Sequence, residues 1–212
     1  MMRQLLLCMV VLPLVATAAA QQTSKDWTLE QLMQLRAQEK SGSARFVQVR
    51  KSAATELSTT TTGTLSYEAP GRLERRTAPP FPETAIVEND RLTITRETLT
   101  GQVVRKEFAL AELPGLRPFF VALRAVLTGD ADTLKSDFKV SLTGSEDKWR
   151  LKLVPRGKAG THVPEILVSG RSGEVLVIEV FEQTGDSTHT ALKPEAREPK
   201  PPAPAQTPTP GS

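Results

Sequence analysis

Eleven short stretches of this chain alternate apolar and polar residues with a period of two, and most gaps between them carry residues that turn the backbone. ARFVQVRK (44–51), GTLSYE (63–68), GRLERRT (71–77), TAIVEN (84–89), RLTITRE (91–97) and QVVRKEFAL (102–110) fill the first half. DFKVSLT (137–143), DKWRLKLVP (147–155), PEILVSG (164–170), EVLVIEVFE (174–182) and DSTHTALK (186–193) fill the second. Between them stand Pro70-Gly71, Pro79-Pro80, Asn89-Asp90, Thr100-Gly101, Ser172-Gly173 and Gly185-Asp186. Strand side chains alternate between faces, so these runs read as half-covered strands, and short turns between them join antiparallel neighbours. The spacing is that of an up-and-down meander rather than of strands alternating with helices. The expected fold is α+β and mostly β.

Two stretches break the period. Thr28 is a helix N-cap with Gln31 at the capping-box position, and Trp27 and Leu32 are spaced as a hydrophobic staple. Leu29, Leu32, Met33 and Arg36 follow at helical spacing until Ser41-Gly42. In the middle of the chain, Pro118 suits a first helical turn, and Leu116, Phe119, Phe120, Leu123, Val126 and Leu127 make an apolar stripe. Gly129 closes that helix, and Asp130 can cap a short further turn through Leu134. Two or three helices therefore accompany the strands.

Eleven strands exceed the roughly eight that close a barrel around side chains which just fill it. Such a sheet either splits into a packed sandwich or curls around a hollow that the helices cover. The stretch GTLSYEAPGRLERRT (63–77) favours the hollow, because Arg75 and Arg76 occupy a strand where a dry core would want apolar residues. At a wet rim an arginine keeps its charge hydrated while its stem lies on apolar surface. The apolar residues of the chain are mostly Leu, Val and Ile, with few aromatics to fill a wide interior.

The ends differ from this middle. Residues 1–20, MMRQLLLCMVVLPLVATAAA, carry one Arg, a short apolar run and an Ala-rich cleavage pattern, as a secretory signal peptide does. Cys8 lies inside it, so the processed chain would hold no cysteine and need no disulfide in an oxidising compartment. The expected location is a bacterial periplasm, with the processed chain not spanning a membrane. Residues 193–212, KPEAREPKPPAPAQTPTPGS, hold seven of the sixteen prolines and almost no large apolar side chain, the composition of a disordered tail. The folded domain is thus expected over 21–192.

In that order the segments RFVQVR, GTLSYEAPGRL, VENDRLTI, the two-phenylalanine helix with LTGDADTLKSDFKVSLTG, WRLKLVP and ILVSGRSGEVLVIEVFEQTGDST resemble the LolA-type outer-membrane lipoprotein carriers, and especially a LolA-related subgroup. The resemblance covers roughly 26–192. It implies an incomplete, half-open antiparallel β-barrel with helices as a lid over an apolar cavity. Its cargo would be an acylated lipoprotein or lipid, received from an inner-membrane transporter and delivered to an outer-membrane acceptor. One departure stands out. Better-known carriers tend to have a basic residue before the proline that corresponds to Pro70, and here that place is Ala69.

Period-two alternation, helical spacing and the family's pocket together nominate lipid-binding residues. Leu65, Tyr67, Leu73, Ile86, Leu92 and Ile94 would line the sheet side, and Leu116, Phe119, Phe120 and Leu123 the lid side. Catalysis finds no support, since His162 and His189 stand apart from any cysteine and no nucleophile elbow or phosphate-cradling glycine loop occurs. Asp130 and Asp132 flank a helix start, where capping accounts for them. No metal-ligand spacing appears and no cofactor is expected. The formal charge of +3 is small and interspersed, which argues against a nucleic-acid groove. Two functions remain: a carrier between membranes, and a non-transporting lipid or lipoprotein sensor or assembly module built on the same half-barrel.

Overall fold

In the computed structural model, which describes residues 27–98 and 100–195, the eleven period-two runs all become strands of one antiparallel sheet. Helix α1 (Leu29–Gln38) comes first, held by its capping box. Thr28 Oγ1 accepts the Gln31 amide at 3.3 Å, and Gln31 Oε1 accepts the Thr28 amide at 2.9 Å. Strands β1 (Ser41–Lys51), β2 (Ser58–Glu68), β3 (Arg72–Thr77), β4 (Glu83–Glu88), β5 (Arg91–Glu97) and β6 (Val103–Ala109) follow as a meander. Helices α2 (Arg117–Thr128) and α3 (Ala131–Asp137) interrupt it. Strands β7 (Phe138–Ser145), β8 (Lys148–Pro155), β9 (Glu165–Arg171), β10 (Glu174–Phe181) and β11 (Ser187–Pro194) complete the chain. β2 starts at Ser58, before its apolar alternation does, because Thr59, Thr60, Thr61 and Thr62 are β-branched residues that favour extended backbone.

The order across the sheet is β6-β5-β4-β3-β2-β1-β11-β10-β9-β8-β7. Every neighbour is consecutive in sequence except β1 and β11, which pair from Ala44 opposite Pro194 to Lys51 opposite Ser187. β6 and β7 are the two edges and do not meet, so the barrel is half open. The segment joining those edges carries α2 and α3, which therefore belong to the open side by connectivity. Pro118 sits in the first turn of α2, and Gly129 ends it with φ of 73°. A Cβ on Gly129 would lie 2.2 Å from the Met33 carbonyl oxygen, so this glycine also lets α1 cross closely. Asp130 caps α3 by accepting the Thr133 amide at 2.9 Å.

The packed core is one-sided. Trp149, Phe138, Leu151, Leu153, Ile166 and Val168, all from β7, β8 and β9, are essentially inaccessible, as are Leu32, Val126 and Leu134 of the three helices. Trp149 faces Gly144 and Gly170 across its two neighbouring strands, and its indole Nε1 donates to the Ser172 carbonyl at 2.9 Å. None of these inaccessible side chains comes from β1 to β6, and space remains on the concave face around the β1–β11 seam.

Lys193 and Pro194, grouped with the tail on composition, are the last residues of β11, and the Glu195 amide donates to the Ser43 carbonyl at 2.9 Å. The rest of that tail and the whole 1–20 signal segment lie outside the described residues. Among the described residues no helix is long and apolar enough to cross a membrane.

Candidate ligand cavity

Register decides which side chains face inward. Phe46 pairs with Gly63, Leu65 with Arg75, Arg75 with Ala85, and Leu73 with both Tyr67 and Val87, so these residues share the concave face. Across the β1–β11 seam, Gln48 meets Thr190 and Arg50 meets Thr188, and those threonines pair with Ile178 and Val180 of β10. Between this face and α2 lies a cavity of about 470 Å³. Its apolar wall is Phe46, Leu65, Leu73, Ala85, Val87, Val163, Ile178 and Val180 on the sheet side, with Leu116, Phe119, Phe120 and Leu123 opposite. Its polar end is Gln48, Arg50, Arg75, Glu182, Thr188 and Thr190.

Helix α2 serves two surfaces. Val121, Ala122, Ala125 and Val126 are buried in the core, where α2 packs on α1 and α3. Phe119 and Phe120 are only half-buried and meet edge to face with ring centres 5.2 Å apart. Leu123 is buried at 4 % exposure, and Leu116 at the lip is 45 % exposed.

Arg75 marks the boundary between the apolar wall and the polar end. Its guanidinium stacks 4.7 Å over the Phe46 ring and donates to Thr77 Oγ1 at 2.7 Å and Gln48 Oε1 at 3.0 Å. Burial pushes its pKa below the usual guanidinium range, and the Glu83 carboxylate 3.7 Å away opposes that shift. Guanidinium starts so high that Arg75 stays charged. Arg76, one residue on, points to the other face and pairs with Glu74. The polar end is also neutralised at Arg50, which binds Glu182 at 2.7 Å and Asp186 at 2.9 Å.

Six of the ten nominated residues line this cavity: Leu65, Leu73, Leu116, Phe119, Phe120 and Leu123. Leu92 and Ile94 are on the same face but outside the cavity, Leu92 in the core and Ile94 packed against it. Tyr67 faces a neighbouring space. Ile86 is corrected: it pairs with Glu74 on the outer face, while its neighbours Ala85 and Val87 point inward. Three apolar residues in a row, Ala85-Ile86-Val87, leave a period-two pattern without a phase. Of the lining residues that spacing did not nominate, Phe46 reaches the others through the β1–β2 pairing, whereas Ile178 and Val180 meet them only through the β1–β11 seam. A local pattern carries no signal for that pairing.

Among the described residues no group of three or more His, Cys, Asp or Glu is placed to hold a metal ion. The sequence profile described as outer membrane lipoprotein carrier protein LolA-like matches residues 17–207. No curated protein matches the chain. Among solved structures, a LolA superfamily protein from Nitrosomonas europaea is 12% identical, with 80% of this chain and 92% of that one covered and a TM-score of 0.42. A putative outer membrane lipoprotein-sorting protein domain from Vibrio parahaemolyticus is 13% identical over 81% of this chain and 93% of its own, with a TM-score of 0.37. A chain of the Pseudomonas aeruginosa MucA/MucB complex is 17% identical over 81% of this chain and 57% of its own, with a TM-score of 0.39.

Proposed function

Because the chain belongs to the LolA-like family of outer membrane lipoprotein carrier proteins, we propose that it holds the acyl chain of a lipoprotein or lipid in its half-barrel cavity and carries it through the periplasm between inner and outer membranes. The observation that supports this is the unfilled apolar space between α2 and the concave sheet, walled by Leu65, Leu73, Val87, Phe119, Phe120 and Leu123. A volume of about 470 Å³ suits part of one acyl chain. Each buried methylene contributes about 0.8 kcal/mol, so ten would contribute about 8 kcal/mol before the cost of ordering the chain. The walls are aliphatic and aromatic, and the cations at the polar end are already paired. Such a surface holds a hydrocarbon chain without locking one head group, as a carrier that must also release its cargo requires.

Native mass spectrometry of the protein purified from its own cell envelope tests the reading. The expected result is an acylated polypeptide or lipid adduct that detergent removes. A ligand-free mass, together with no binding of a fluorescent acyl probe, would end it.

A further inference from the structure

Next to the main cavity is a second one of about 430 Å³, bounded by the end of α1, the start of β1, and parts of β2, β10 and β11. Leu65 is a wall of both spaces. Tyr67 faces the second alone. It is buried at 6 % exposure, and its phenol oxygen has no hydrogen-bond partner among the described residues. A buried hydroxyl left unpaired is costly and calls for an explanation. Arg36 shares the same wall at 8 % exposure, where it donates to the Gly173 carbonyl at 2.6 Å and the Leu127 carbonyl at 3.3 Å. Burial pushes the Tyr67 phenol above its usual range against the opposing charge of Arg36, so the group stays protonated and able to donate. Leu127, Val175 and Leu192 supply apolar walls, while Glu39, Glu174 and Glu195 add negative charge at the edge.

A donor hydroxyl in a mostly apolar chamber beside an acyl cavity matches a carbonyl oxygen, and the three glutamates disfavour a free carboxylate. We propose that this second chamber is a subsite for the neutral ester or amide carbonyl at the head of the bound chain. Tyr67 donates to that oxygen, and the chain passes over Leu65 into the main cavity. The proposal rests on the carrier reading above and adds the chemistry of the head group.

The test compares two ligands that differ at one group, monopalmitoyl glycerol and its hexadecyl ether analogue, by calorimetric titration of the full chain. Wild type should bind the ester about fivefold more tightly than the ether, the effect of one hydrogen bond. Tyr67→Phe should bind the ester about fivefold more weakly, lose the preference, and unfold at no lower a temperature than wild type. A Tyr67→Phe chain that keeps the preference overturns the proposal. So does one whose unfolding temperature drops while both ligands weaken equally, because the hydroxyl would then be a structural bond. If wild type binds neither ligand, the carrier reading itself fails, and the subsite with it.

Discussion

Arg75 is held by side chains that no single strand supplies: Phe46 and Gln48 from β1, Thr61 from β2, Thr77 from β3 and Glu83 from β4. A charge in that setting is a local solution to a concave face that is not packed. Arg75→Met keeps the stem over Phe46 but deletes the donors, so stability in urea should fall by about 1–2 kcal/mol. An unchanged midpoint would mean that water already screens these bonds. Asp130 offers a pH test. The Thr133 hydroxyl at 2.6 Å and the Thr133 amide at 2.9 Å hold its carboxyl below the usual range. A depressed folded pKa gives stability that is complete above the unfolded value, about 4, and lost as pH falls through the folded one. Asp130→Ala should therefore cost about 1 kcal/mol at neutral pH. The gap between variant and wild type should narrow in acid, and a gap independent of pH would refute the capping role. Both residues were visible in the sequence, Asp130 as a cap and Arg75 as an anomaly. Ile86 was not assignable, because phase in a run of apolar residues is set by the neighbouring strand.

At the scale of an element, α2 combines a core face and a cavity face in one helix. Helical spacing gathered Leu116, Phe119, Phe120 and Leu123, which all line the one cavity, but it could not separate residues with fixed neighbours from residues facing a void. Their exposures do. Leu123→Glu should bury a charge and cost several kcal/mol, enough to unfold much of the protein. Phe120→Glu can keep its carboxylate wet at the cavity, so the chain should fold and lose acyl-probe binding. Circular dichroism and probe fluorescence on both variants check this, and equal unfolding of the two would make α2 a core helix throughout. The strand counterpart is Gly170, where a Cβ would sit 1.9 Å from the Glu174 carbonyl oxygen and 2.5 Å from the Trp149 ring. Gly170→Ala should lower stability by about 2 kcal/mol or more and perturb Trp149 fluorescence.

On the scale of the whole molecule, strand existence and the two helical regions were readable from period and caps. The joining of the two half-sheets was not, since it depends on β1 and β11, which are neighbours in the sheet but the first and last strands in the sequence. The seam continues to Glu195, whose carboxylate takes a hydrogen bond from Ser43 at 3.0 Å and pairs with Arg45 at 3.1 Å. A chain ending at Glu195 should therefore unfold within a degree or two of full length, because the remaining residues are rich in proline and poor in apolar surface. A chain ending before Ser187 should be far less stable in the same thermal melt.

That seam also sets a timetable. Ala44 is opposite Pro194, so the first strand to be synthesised must wait for the last before its second edge is covered. Each half can form its own hairpins early, as nearest-neighbour pairings do quickly, but joining them brings Lys51 to Ser187 and Ala44 to Pro194, across most of the chain. Until then β1 is an open edge, ready to accept any extended peptide that reaches it. The slow step in refolding should thus be the arrival of β11, and a short synthetic peptide covering Ser187–Pro194 should compete for β1 only in chains that have not yet completed it.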